Sequence, residues 1–117
     1  MTFSVSSLTS TILLLTTLSV LTACEDDGKE LVSTLTLNAA AKYDYDGKYA
    51  SDALNKAFAA SPDGAFAAAH SFPTEDLAAA AALINCNDRV LVGQLECVVY
   101  DLNGSIIAGG PMRLRRK

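Results

Sequence analysis

The sequence predicts an α+β fold: a small single domain in which one alanine-rich helix lies on an antiparallel sheet, in the order ββαββ. Three observations carry this expectation. Leu77 to Cys86 is nearly all Ala and Leu, the strongest helix-forming stretch of the chain. Apolar stretches are folded back by two turn sequences, Ser61-Pro62-Asp63-Gly64 before that helix and Asn103-Gly104 after it. Cys86 and Cys97 form an even pair suited to one structural disulfide.

At the start of the chain, Leu21-Thr22-Ala23-Cys24 closes an uncharged stretch rich in Leu, Ser and Thr. It looks like the lipobox of a bacterial lipoprotein precursor. The apolar run from Ile12 to Ala23 has the length of a signal-peptide core and is short of the ~20 residues a spanning helix needs. Residues 1–23 are therefore expected to be a signal peptide, with Cys24 the lipidated mature N-terminus. Residues 2–11 contain no Lys or Arg, so an ordinary cleaved signal and an uncleaved anchor stay open as alternatives. The expected location is the cell envelope, with the domain facing the periplasm or cell surface and tied to the membrane by its lipid. In that oxidising compartment the remaining pair, Cys86 and Cys97, is expected to be oxidised.

Residues 24–30 read as a lipidated, charged tether and residues 31–112 as the single domain, with its core in 56–108. Leu31 to Leu37 alternates with enough β-branching for a short strand, although a helix running into Asn38-Ala39-Ala40-Ala41 competes. Residues 42–52 read as loop. Asp44-Tyr45-Asp46-Gly47 superficially suggests a calcium loop, but with Gly47 at the sixth position the first and twelfth fall on Lys42 and Ala53, which supply no side-chain oxygen. Lys56 to Ala60 and Ala65 to Ser71 are the arms of a hairpin. Thr74 is placed to cap a helix over 74–86, with Glu75 and Asp76 at its positive end and Asn87-Asp88 as its stop. Leu95 to Leu102 reads as a strand, and Ser105 to Ala108 returns as its partner across a turn that needs positive φ at Gly104.

The net charge of −4 is unevenly spread. Arg113, Arg115, Arg116 and Lys117 form a basic tail over 113–117, expected to be solvated. The preceding body sets Lys29, Lys42, Lys48, Lys56 and Arg89 against all thirteen acidic residues, a balance that repels nucleic acid. Zinc is not expected, because two cysteines and the single His70 give no four-ligand set. His70 could be combined on paper with a serine and an aspartate, yet no G-x-S-x-G context is present, and a lone histidine is better read as a surface or hydrogen-bonded core residue. Glu75 and Asp76 point to different sides of a helix and read as capping residues. Asn103-Gly104-Ser105 matches a glycosylation sequon but reads as a turn. No catalytic residue, cofactor or metal is expected.

The succession Ala57-Phe58-Ala59-Ala60-Ser61-Pro62-Asp63-Gly64, Glu75-Asp76 with Ala78, Ala82-Leu83-Ile84-Asn85-Cys86, Cys97-Val98-Val99-Tyr100 and Asn103-Gly104 resembles a small cysteine-bridged domain of proteobacterial secreted and lipid-anchored proteins, a domain of unknown function. The likeness covers about residues 56–108. It implies a helix stapled to a strand through Cys86 and Cys97, and no known catalysis. Phe66 and Ala67 depart from it, standing where the second strand often carries larger aromatics.

Helical positions advance by about 100°, so Ala78, Ala82 and Cys86 share the stripe expected to face the sheet. Leu77 and Ile84 fall nearly opposite. Either segment 31–41 folds over them and completes the core, or they form an exposed surface for an envelope protein partner. Three function classes follow: a non-catalytic interaction or accessory module, favoured here; a small-ligand or inhibitor domain built around Phe58, Phe66 and Tyr100; and a hydrolase using His70.

Overall fold

A computed structural model of the chain describes residues 28–117. Residues 1–27, and with them the expected signal peptide and the expected lipidation of Cys24, lie outside the described residues. In chain order these form β1 (Lys29–Val32), α1 (Ala39–Asp44), a π-helical turn (Tyr45–Tyr49), β2 (Ala57–Ala60), β3 (Phe66–Ala69), α2 (Glu75–Asn87), β4 (Val98–Leu102), β5 (Ser105–Ile106) and β6 (Met112–Arg115). The fold is α+β. A four-stranded antiparallel sheet runs in the order β3-β2-β4-β5, and β1 and β6 form a separate two-stranded ribbon.

Turn chemistry sets both hairpins. Ser61 donates its backbone N–H to the Ala65 carbonyl at 2.8 Å, and Gly64 takes φ +114° at the exit of the first turn. Asn103 and Gly104 both have positive φ, +53° and +93°, the pairing a type I′ turn requires. Thr74 accepts from the Leu77 N–H and caps α2.

Period-two alternation divides the core between the two faces of the sheet. Toward α2 point Ala57, Ala59, Ala67 and Ala69, packed against Ala78, Ala82, Cys86 and Val90, with the Cys86–Cys97 disulfide closing the layer. Small side chains let the helix lie close, at a Cα–Cα separation of 6.1 Å across the bridge. Toward the other face point Phe58 and Ala60, covered by Leu35, Ala41, Tyr49 and Ala108. β2 is therefore buried along its whole length.

Four expectations need correction. Lys29 and Glu30, expected in the tether, belong to β1, paired with Arg115 and Leu114. The basic tail is largely β6: Met112 and Leu114 turn inward while Arg113 and Arg115 alternate outward, and that period outweighs the charge run. The last residues are also held, since Arg116 pairs with Glu30 and donates to the Gly93 carbonyl at 2.7 Å, and the Lys117 ammonium donates to the Asn87 carbonyl at the end of α2. Residues 42–52 are mostly helical, because Asn38 caps α1 and burial of Ala41 and Tyr49 against the sheet overrides the Asp-Gly turn signal.

The fourth correction concerns Leu77 and Ile84. Segment 31–41 sends Leu35 and Ala41 into the Phe58 layer, on the face opposite α2. Leu77 and Ile84 stay 52% and 62% exposed, so the covering segment is not there. In the second hairpin, Leu95 stands apart from β4 and bridges to Arg116 instead.

Candidate functional site

The layer opposite α2 is organised by Asp101, whose side chain is fully buried. β4 pairs with β2 through a bulge: Phe58 opposes Asp101, Ala59 opposes Val99, and Tyr100 is the extra residue between them. One inserted residue switches the face on which the following side chain emerges. Tyr100 and Asp101, though consecutive, both reach the helical layer. Tyr45 donates its hydroxyl to Asp101 Oδ2 at 2.6 Å, and Tyr49 donates to Oδ1 at 2.8 Å. The Gly104 N–H also donates to Oδ1, at 2.8 Å, so the same carboxylate locks the type I′ turn. Burial, and after it the bond to Asp101, pushes both tyrosine hydroxyls well above the ordinary phenol value. Lys56, itself buried, donates to the carbonyls of Tyr49 and Ala50 and lies 4.7 Å from the centroid of the Tyr49 ring, closing the C-terminal end of the π-helical turn.

This hub positions a cleft at the open edge of β3. Its volume is about 220 Å³. Asp44, Lys48 and Asp52 line it from the helical layer, Phe66, Ala67, Ala68 and His70 from β3 and its exit, and Arg89 from beyond α2. Asp44, Lys48 and Asp52 follow one another at intervals of four residues, from the end of α1 through the π-helical turn to the bend after it, and all three line the same wall. The Ser61-to-Ala65 bond fixes the ladder phase: Ala59/Ala67 and Ala57/Ala69 exchange hydrogen bonds, whereas Phe66 and Ala68 turn their backbone groups away from β2. β3 is an edge strand, so those groups face the cleft. Arg89 donates to one of them, the Phe66 carbonyl, at 2.8 Å.

Asp52 is the most unusual group in this wall. Its side chain is 13% exposed, and its Oδ2 is buried with no hydrogen-bond partner among the described residues. The other oxygen lies 3.9 Å from His70 Nε2, beyond hydrogen-bond distance. His70 Nδ1 pairs with the hydroxyl of Ser71 at 2.9 Å, and Ser71 adopts φ +63°, a left-handed conformation strained for a side-chain-bearing residue. Serine, histidine and aspartate thus stand in one line, but the serine contact is to its own neighbour and the aspartate contact is open. As it stands, the arrangement can hold a proton donor beside Asp52; it does not form a closed relay from Ser71 to Asp52.

The residues singled out from sequence distribute as follows. Cys86 and Cys97 are joined, as expected. Leu77 and Ile84 share an exposed side of α2, remote from the aromatic layer. Phe58, Phe66 and Tyr100 do come together, but as core: Phe58 is fully buried, with the Phe66 ring stacked at 5.8 Å and the Tyr100 ring edge-on at 6.4 Å, so they leave no apolar hollow between them. His70 lines the cleft. Asp52, Lys48, Arg89 and Asp101 were not singled out. The four-residue spacing of Asp44, Lys48 and Asp52, and of Tyr45 and Tyr49, was the signal that would have exposed the helical face. Among the described residues no group of three His, Cys, Asp or Glu side chains is placed to hold a metal ion, and no helix is long and apolar enough to cross a membrane.

Comparison with protein-family models, with curated proteins and with solved structures found no match for this chain.

Proposed function

We propose that this chain is an exported, lipid-anchored accessory protein of the bacterial cell envelope, whose domain works by binding rather than by catalysis. The observation that carries the reading is the buried Cys86–Cys97 disulfide. Structural disulfides persist in oxidising compartments and are rare in the cytosol. The bridge therefore supports the same compartment that Leu21-Thr22-Ala23-Cys24 suggests from the other end of the chain. The likeness to a cysteine-bridged domain of proteobacterial secreted and lipid-anchored proteins belongs to this reading. So does the open strand edge, a feature suited to a partner and one that folded proteins otherwise blunt.

Intact mass and membrane fractionation of the chain expressed in a bacterium test the anchoring. Cleavage before Cys24 with added acyl mass is the expected result, and Cys24→Ala should lose both the acyl mass and the membrane fraction. A variant that remains acylated and membrane-bound would sink the assignment.

A further inference from the structure

We propose that the cleft along β3 is a docking slot for an extended peptide, which adds as a fifth strand beside β3 and places a basic side chain against Asp52. The inference rests on reading the domain as a binding module and names its class of partner. Two independent observations meet in the slot. The first is backbone: Phe66 N–H and both backbone groups of Ala68 face the cleft with no strand beside them. They recur every second residue, the repeat at which an incoming strand presents its own N–H and C=O groups. Arg89 occupies the Phe66 carbonyl at one end, which leaves Ala68 as the central pairing position.

The second observation is charge. No hydrogen-bond donor reaches the Asp52 carboxylate: Oδ2 is closed to solvent, while Oδ1, 3.9 Å from His70 Nε2, is the oxygen an arriving ammonium or guanidinium meets, and a charge-assisted bond there offsets the cost of the poorly satisfied carboxylate. Asp44 stands on the same helical wall and adds to the attraction. Lys48 and Arg89 balance the two carboxylates over the cleft as a whole, so the demand for a cation is local to the largely buried Asp52 carboxylate, which neither of them reaches. His70, at the β3 end of the cleft, closes the wall beside Asp52 at 3.9 Å. An acidic side chain at that position would meet the Asp52 carboxylate instead. A second copy of this chain would offer only the alanine-rich edge of β3 with its own His70.

The test uses the full chain, with three capped pentapeptides as probes: acetyl-Thr-Val-Lys-Val-Thr-amide, its Glu-centred counterpart, and the Lys peptide N-methylated at alternate backbone nitrogens. The Lys peptide should shift the amide resonances of residues 66–70, slow hydrogen exchange at Phe66 and Ala68, and bind about tenfold more tightly than the Glu peptide. The N-methylated peptide should not bind. Asp52→Asn should abolish the preference for Lys over Glu at unchanged melting temperature. Ala68→Pro, which removes the outward N–H and is tolerated on edge strands, should abolish binding of both. Equal binding of the two peptides, a preference that survives Asp52→Asn, or undiminished binding by Ala68→Pro would overturn the proposal. So would shifts at residues 66–70 that track protein concentration without peptide, since the occupant is then a second copy. Fractionation of the same samples separates this failure from that of the anchoring: a chain that stays acylated and membrane-bound yet ignores the peptides loses only the slot.

Discussion

The two faces of the central sheet are held by opposite means. Toward α2 the layer is alanine against alanine, brought to close range and fastened by one covalent bond. Toward the helical turn it is five aromatic rings, Tyr45, Tyr49, Phe58, Phe66 and Tyr100, two of whose hydroxyls meet one buried carboxylate. Small residues supply little apolar area per contact, so the first face relies on close approach and the cross-link. Large rings supply area, but their hydroxyls must be satisfied, so the second face relies on a hydrogen-bond network.

The comparison breaks first at Asp101. Asp101→Ala leaves two tyrosine hydroxyls and the Gly104 N–H without their acceptor, and should lower the unfolding free energy by about 3–5 kcal/mol, measured by urea titration. A loss below ~1 kcal/mol would mean that the carboxylate is not the hub. Alkali tests the same network without mutation. The Tyr45 and Tyr49 pKa values are raised above the unfolded value near 10, so their contribution is fully present below pH 10 and is lost as pH rises beyond it. Melting temperature should therefore fall steadily above pH 10, and in Tyr49→Phe the fall should be shallower.

On the opposite face, Cys86→Ala with Cys97→Ala should cost about 2–3 kcal/mol, the chain-entropy value for so short a loop. In denaturant unfolding, reductant should lower the stability of the wild type by the same amount and leave the double variant unchanged. The smallest effect belongs to the outer side of α2. Leu77→Ser and Ile84→Ser remove half-exposed side chains and should each change stability by no more than ~0.5 kcal/mol. A loss of several kcal/mol in either variant would restore a cover over that side.

The α2 face was legible because its signals are local: Ala-Leu composition, a Thr cap, two turn sequences and an even pair of cysteines all lie in or next to the elements they specify. The other face was not. Asp101 would alternate onto the α2 side if β4 were regular, and only the Tyr100 bulge carries it across; no local pattern around Val98-Val99-Tyr100-Asp101 announces that insertion. The helical turn was misread for a related reason. Asp44-Tyr45-Asp46-Gly47 has turn chemistry, and what overrides it is the burial of Tyr49 against a strand far along the sequence. For the cleft, the Asp44, Lys48 and Asp52 spacing was readable, but its juxtaposition with the β3 edge required the tertiary fold.

The β1–β6 ribbon sets an order of events in folding. Its innermost pair, Val32 and Met112, closes a far longer loop than the innermost pair of the first hairpin, Ala60 and Phe66. The difference in closure entropy is about 2 kcal/mol, so the hairpins and α2 are favoured to form while the ribbon is still open. β1 has no strand to join until Met112 to Arg115 are available, so it waits unpaired while the elements between the two strands form. The pairing that joins the first described strand to the last is thereby a late event, laid over a sheet already formed.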